Sequence, residues 1–200
     1  LMLKTKNKFA IYRCLFSDYD IIIPELKVFK DFDYYLFTDN PNLNLYPYKK
    51  ILVNSKYNKP SLDNRNLKII LPNILRRYEV SIYIDSNILI IGNIKNLVNE
   101  FINSKREIGF FTHSLNKSID EEVEACRINN KCNITVLKKE IEFYESLKIP
   151  KVENFSDNSI IMRKYFNKNI NDAMEHWFSL VKQFSGRDQI SLSAVRSIYR

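Results

Sequence analysis

The chain has 200 residues, 45% hydrophobic and 27% charged, enough to bury the core of one compact domain and too apolar to be disordered throughout. Its 12 Tyr, 13 Phe and 1 Trp set against 3 Gly and 6 Pro exclude a collagen-like or linker composition. Lys and Arg outnumber Asp and Glu by 31 to 23, and the resulting charge of +8 suits anionic partners, although a solvated basic surface is the simpler explanation.

No apolar run approaches the roughly 20 residues needed to span a bilayer. Residues 1–9 alternate Lys and Asn with apolar side chains and lack the apolar core of a signal peptide, so a soluble, cytosolic protein is expected, with at most peripheral membrane contact. Cys14, Cys126 and Cys132 form no CxxC pair, and His113 and His176 lie far from them in sequence. A zinc framework is therefore not expected, and the thiols should be reduced. The sequons at Asn116, Asn133 and Asn154 are what an Asn-rich chain produces by chance.

In chain order, residues 9–16 (FAIYRCLF) have the density of a buried strand and stop at the polar turn Ser17-Asp18-Tyr19-Asp20. Residues 34–37 repeat the pattern and stop at Thr38-Asp39-Asn40. A short strand at 51–53 precedes a helix from 62 to about 71, capped by Ser61 with Asp63 in its first turn. Residues 80–84 (VSIYI) form the clearest strand and run into Asp85-Ser86-Asn87. A helix over 94–101 and a strand over 108–112 ending at His113 follow, then helices over 118–129 and 136–147. A strand over 159–162, a helix over 170–184 terminated by Gly186, and a last helix opened by Asp188 and Gln189 complete the chain. Mixed strands and helices without repeats predict an α/β fold: one sandwich over residues 1–200 around a mostly parallel central sheet flanked by helices.

Open α/β sheets bind ligands beyond the carboxyl ends of their strands, and polar clusters follow strand after strand here. Each cluster alone is more simply a turn; their recurrence points to a site. Gly92, Gly109 and Gly186 are too isolated to form a GxGxxG turn or a Walker loop. A diphosphate can instead be held by a divalent cation at an acidic strand end, with basic side chains on the remaining oxygens. Asp85 and Asn87, at i and i+2, have that spacing, with Ser86 packing away between them. Arg65 and Lys68, three apart, share one face of the preceding helix and supply positive charge, unless that face is merely solvated. These groups are expected to line one cleft with Asp39.

These residues resemble a known family. IYIDSNILI following NRNLKIILP looks like a variant of the DxD region of GT-A glycosyltransferases. The fuller set resembles the bacterial and plant glycosyltransferase-like group known as domain of unknown function 616. Its pieces are FSDYDII (16–22), LFTDN (36–40), RNLKIILP (65–72), YIDSN (83–87), FFTH with the downstream Glu121-Glu122, DNSIIMR (157–163) and GRDQIS (186–191). The resemblance implies a GT-A-like fold, short at its C-terminal end, that moves a sugar from a nucleotide-sugar donor to a glycan or other hydroxyl acceptor.

It places Asp39 near the nucleoside, Arg65 and Lys68 on the phosphates, and Asp85 with Asn87 on the diphosphate and a Mn²⁺ or Mg²⁺ ion. Asn158 would face the donor sugar, and Asp188 and Gln189 the sugar or acceptor. Asn87 stands where a standard DxD has its second carboxylate, which lowers metal affinity and makes the ion dispensable in principle. Asp188 is the first choice for a catalytic base, with an N-cap or N-terminal-turn role in the last helix as its structural alternative. His113 is a weaker candidate for acceptor or phosphate, and a structural histidine is as good a reading. Trp177 lies on an apolar helical stripe and reads as core. The rival functions are a catalytically inactive module that binds nucleotide sugar or glycan, and a nucleic-acid-binding protein. The latter has no recognisable motif, and nucleic acid is not an expected partner.

Overall fold

The computed structural model describes residues 7–17, 19–149, 154–164 and 168–199. The expected turn residue Asp18, part of FSDYDII, lies outside them. Among the described residues there are six strands and six helices: β1 (Phe9–Leu15), β2 (Phe32–Thr38), β3 (Lys49–Leu52), α1 (Pro60–Ile69), β4 (Val80–Ile84), α2 (Ile94–Asn103), β5 (Ile108–Thr112), α3 (Ile119–Ile128), α4 (Ile134–Ser146), β6 (Ser156–Lys164), α5 (Lys168–Gln183) and α6 (Asp188–Ile198). The strands make one sheet in the order β3-β2-β1-β4-β6-β5. β1 pairs parallel with both β2 and β4, and β2 pairs parallel with β3, whereas β6 runs antiparallel to β4. The α/β class and the mostly parallel sheet are as expected.

The chain divides into two compact units, Leu1–Gly109 with Ser159–Ile170, and Phe110–Asn158 with Asn171–Arg200. In the first unit, alternation along the strands sends Ile11 and Leu15 of β1 and Val80, Ile82 and Ile84 of β4 into an apolar cluster. Tyr34, Tyr48 and the α2 residues Ile94, Val98 and Phe101 belong to the same cluster. The intervening residues Tyr12, Cys14, Ser81 and Tyr83 are buried as well, and α1 packs on β1. Strands buried on both faces explain why β1 and β4 read as near-continuous apolar runs. In the second unit, α3 packs against α4 and α6, and Trp177, fully buried as expected, stacks edge-on against Phe110 at 5.9 Å.

Three local expectations change. Helix α1 begins at Pro60 with Lys59 as its cap residue and no side-chain cap, so Ser61 does not cap it; proline's fixed φ at the first helical position starts the helix earlier. Asp63 is in the first turn but reaches back, accepting from Ser55 Oγ (2.6 Å) and from the backbone N–H groups of Lys56 (2.7 Å) and Tyr57 (3.1 Å). Helix α4 starts earlier than residue 136 because Asn133 caps it, its side chain accepting from Val136 N. Helix α5 stops at Gln183, and Gly186, at φ +76°, makes the left-handed turn that leads into α6.

Gly109 on β5 is required by close approach: a Cβ there would stand 3.1 Å from Phe101 Cε2 and 3.3 Å from the Met162 methyl. Gly109→Val should therefore lower stability by about 1–3 kcal/mol through overpacking, measured by denaturant unfolding.

Candidate functional site

Because β1, β2 and β4 run parallel, their carboxyl ends share one edge of the sheet. From β1 the chain proceeds to β2 and β3 on one side, then crosses back to β4 on the other. The junction of β1 and β4 is thus a topological switch point, where open α/β sheets form their ligand crevice. Asp85 follows β4 directly, Asp39 follows β2, and the turn after β1 carries Ser17, Tyr19 and Asp20.

Several contacts link these strand ends. Asp39 accepts from Ser17 N (2.8 Å) and Ser17 Oγ (3.1 Å). The Arg65 guanidinium lies 5.7 Å from the Tyr19 ring centre and donates to Ser61 O. The Asn87 amide lies 3.4 Å from Asp20 Oδ1. Asp39, Arg65 and Asn87 are therefore brought to one edge by the turn after β1.

Asp85 is held from the α1 side. Lys68 Nζ stands 3.3 Å from Asp85 Oδ1 and 3.4 Å from Oδ2, and Tyr83 OH donates to Oδ1 at 2.6 Å. Burial, reinforced by the Asp85 charge, pushes the Tyr83 hydroxyl well above its ordinary range, so it stays protonated and acts as a donor. The Lys68 side chain is 8% exposed and that of Asp85 29%, so the ion pair is sheltered with its carboxylate at the rim. The Lys68 backbone carbonyl is fixed in turn by Arg163 Nη2 at 2.6 Å, while Arg163 Nη1 donates to Tyr12 OH at 2.7 Å.

Asp85 and Asn87, expected to share a divalent cation, have other neighbours in this structure. The Asp85 carboxylate already faces an ammonium, and the Asn87 amide is turned to Asp20. Among the described residues, no group of three or more His, Cys, Asp or Glu is placed to hold a metal ion. Ser86 packs away as expected, 2% exposed.

The remaining candidates belong to the second unit. Asn158 on β6 is buried; its Oδ1 accepts from Ser156 Oγ at 3.1 Å, while its Nδ2 has no hydrogen-bond partner among the described residues. Asp188 is buried at the first position of α6. The cap residue is Arg187 and no side chain caps the helix, so Asp188 is a first-turn residue and not its cap. Its carbonyl accepts from Trp177 Nε1 at 2.9 Å. Gln189 Oε1 accepts from Arg187 Nη2 at 2.8 Å. His113 Nδ1 accepts from the backbone N–H groups of Leu115 (3.2 Å) and Asn116 (2.8 Å), the geometry of a turn-forming histidine.

Sequence reasoning missed the buried charges. Glu122, 0% exposed, accepts from Arg187 Nη2 at 2.6 Å and Asn116 Nδ2 at 2.5 Å, which ties the entrance of α6 to α3. Glu140 accepts from Tyr144 OH at 2.8 Å and from both the backbone N–H and the hydroxyl of Ser185, and burial raises its pKa. Arg13 and Arg163 sit inside strands and are fully or almost fully buried. The available signal was a charged residue within an apolar run, which must find partners when buried.

The carboxyl edge of this α/β sheet thus gathers Asp39, Arg65, Lys68, Asp85 and Asn87. A profile of the family described as TOD1/MUCI70, glycosyltransferase-like domain, matches residues 48–200, and the chain belongs to that family. The matched span includes Arg65, Lys68, Asp85, Asn87, Asn158, Asp188 and Gln189, while Asp39 and the turn after β1 precede it. No curated protein matches the chain.

Proposed function

We propose that this chain is a nucleotide-sugar-dependent glycosyltransferase whose donor diphosphate binds at the β1–β4 switch point. The observation that carries this reading is the sheltered Lys68–Asp85 pair, with Arg65, Asn87 and Asp39 on the same edge of the sheet. Glycosyl transfer requires stabilisation of a nucleoside diphosphate leaving group, which preorganised cations provide. In this reading Lys68 and Arg65 do so. Asp85 and Tyr83 orient the ammonium, and Asp39 is offered to the nucleoside. The resemblance to glycosyltransferases supplies the roles in the second unit: Asn158, with its buried amide N–H₂, for the donor sugar, and Asp188 with Gln189 for the sugar or acceptor. His113, held in its turn, is the weakest member of the set. Acceptors are glycans or other hydroxyl compounds.

The second reading, an inactive module that binds nucleotide sugar, is favoured by one observation. Asp85 and Asn87 present a single carboxylate that is already ion-paired. Binding and turnover separate the two readings.

A panel of nucleoside diphosphates and nucleotide sugars tests binding. A ligand at 100 times its Kd should add about 2.7 kcal/mol to stability and raise Tm. Asp85→Ala should remove that gain and also lower the free protein's Tm, because the sheltered Lys68 ammonium loses its carboxylate; a ligand gain undiminished relative to the variant's own Tm would make Asp85 a structural residue only. Since Lys68 and Arg65 supply the charge, the gain should survive EDTA, and a strict requirement for Mn²⁺ or Mg²⁺ would restore the metal expected from the DxD resemblance.

Asp188→Asn distinguishes a catalytic carboxylate from a helix-end charge. Its contribution to the α6 dipole is worth about 0.3–1 kcal/mol, and its buried charge also acts on the Arg187 guanidinium, so stability should fall by about that much or more. Turnover should drop by about two orders of magnitude or more if Asp188 is the base, with donor binding retained. Normal sugar transfer by a folded Asp188→Asn variant would exclude it.

A further inference from the structure

Arg13 is a buried charge that reaches the backbone of the loop after β4. It lies on β1, two residues before the strand ends, and both it and its partner Glu25 have side chains that are 0% exposed. Its Nη1 donates to Ser86 O at 2.7 Å and Asp85 O at 3.4 Å, its Nη2 to Ile88 O at 2.8 Å and Glu25 Oε1 at 2.5 Å, and its Nε to Tyr48 OH at 2.6 Å. The Tyr48 hydroxyl donates in turn to Glu25 Oε1, and Ile23 N donates to Ser86 O at 2.9 Å.

Stability alone does not account for this arrangement. A buried ion pair recovers its desolvation penalty poorly compared with apolar residues of similar volume, and Arg13 stands where Ile11 and Leu15 fill the same face of β1. What the guanidinium adds is geometry. Its planar fork takes three carbonyls, of Asp85, Ser86 and Ile88, that bracket Asn87. The loop that presents Asp85 and Asn87 is thereby fixed from below. Glu25 and Ile23 bring the segment between β1 and β2, which also carries Tyr19 and Asp20, into the same network.

We infer that Arg13, with Glu25 and Tyr48 holding its guanidinium, is the positioning residue of the donor-binding loop, setting nucleoside diphosphate affinity through Asp85 and Asn87 without touching the ligand. This rests on the donor site proposed above. Removing the Glu25 charge or the Tyr48 hydroxyl leaves the apolar packing in place and loosens the fork; Glu25→Gln also lowers stability because Arg13 loses its buried counter-charge, and a destabilised control accounts for that.

The test compares the parent with Glu25→Gln, Tyr48→Phe and Gly109→Val. The last is destabilised by overpacking between β5 and α2, away from the loop. Affinities for UDP, GDP and ADP are measured by calorimetry at a temperature where every variant is folded. Glu25→Gln and Tyr48→Phe should each weaken binding of the preferred diphosphate tenfold or more, while Gly109→Val keeps the parent affinity despite its lower Tm. Amide hydrogen exchange at residues 85–91 should quicken in the first two variants alone. Parent-like affinity in folded Glu25→Gln and Tyr48→Phe would overturn the positioning role while leaving the donor site intact. If the parent binds none of the three diphosphates, the donor-site reading itself fails and the positioning role falls with it.

Discussion

The parallel pairing of β1 with two neighbours that the chain reaches in opposite directions is the constraint on which the first unit depends. Because β2 and β4 flank β1 in the same sense, three strands deliver their carboxyl ends to one edge. Because the chain leaves β1 for β2 on one side and leaves β4 for β5 at the far edge on the other, β1 and β4 meet at the switch point of the sheet. The polar turns are not functional because they are polar; they matter because topology gathers them. Asp39, 46 residues before Asp85, comes to the same edge only through this arrangement.

Much of this was legible in the sequence, for identifiable reasons. β4 was legible as VSIYI followed by Asp-Ser-Asn because a doubly buried strand must be apolar and must stop where the backbone meets water. α3, expected over 118–129, runs over Ile119–Ile128, with Ser118 as its cap residue accepting from Glu121 N. Arg65 and Lys68 were paired by helical spacing, but spacing could not separate their environments. Lys68 is buried against Tyr83 and Asp85, whereas Arg65 is half-buried beside Tyr19. The end of α1 is also fastened by Arg163, 95 residues from Lys68 in sequence, a relation no local pattern encodes.

The metal expectation illustrates a different limit. The spacing of Asp85 and Asn87 permits both side chains to reach one ion, but spacing says nothing about competitors. Lys68 folds against Asp85, so the carboxylate's charge is shared with an ammonium that the spacing did not reveal. In the second unit, likewise, the pairing of Glu122 with Arg187 was invisible because each reads locally as a solvated helix charge. Only the packing of α3 on α6 turns them into a buried pair.

Arg163 also bears on how the protein is made. The first unit is assembled from two stretches of chain, with residues 110–158 intervening. A ribosome releasing the chain from its N-terminus delivers β1 to β4, α1 and α2 well before the strand that completes their sheet. Until β6 emerges, β4 has an open edge, the last carbonyls of α1 lack the guanidinium that satisfies them, and the lysine beside Asp85 is not yet anchored. The nascent crevice must therefore wait for a late segment before it acquires its final charge geometry, and the exposed edge of β4 is the surface most in need of protection during synthesis.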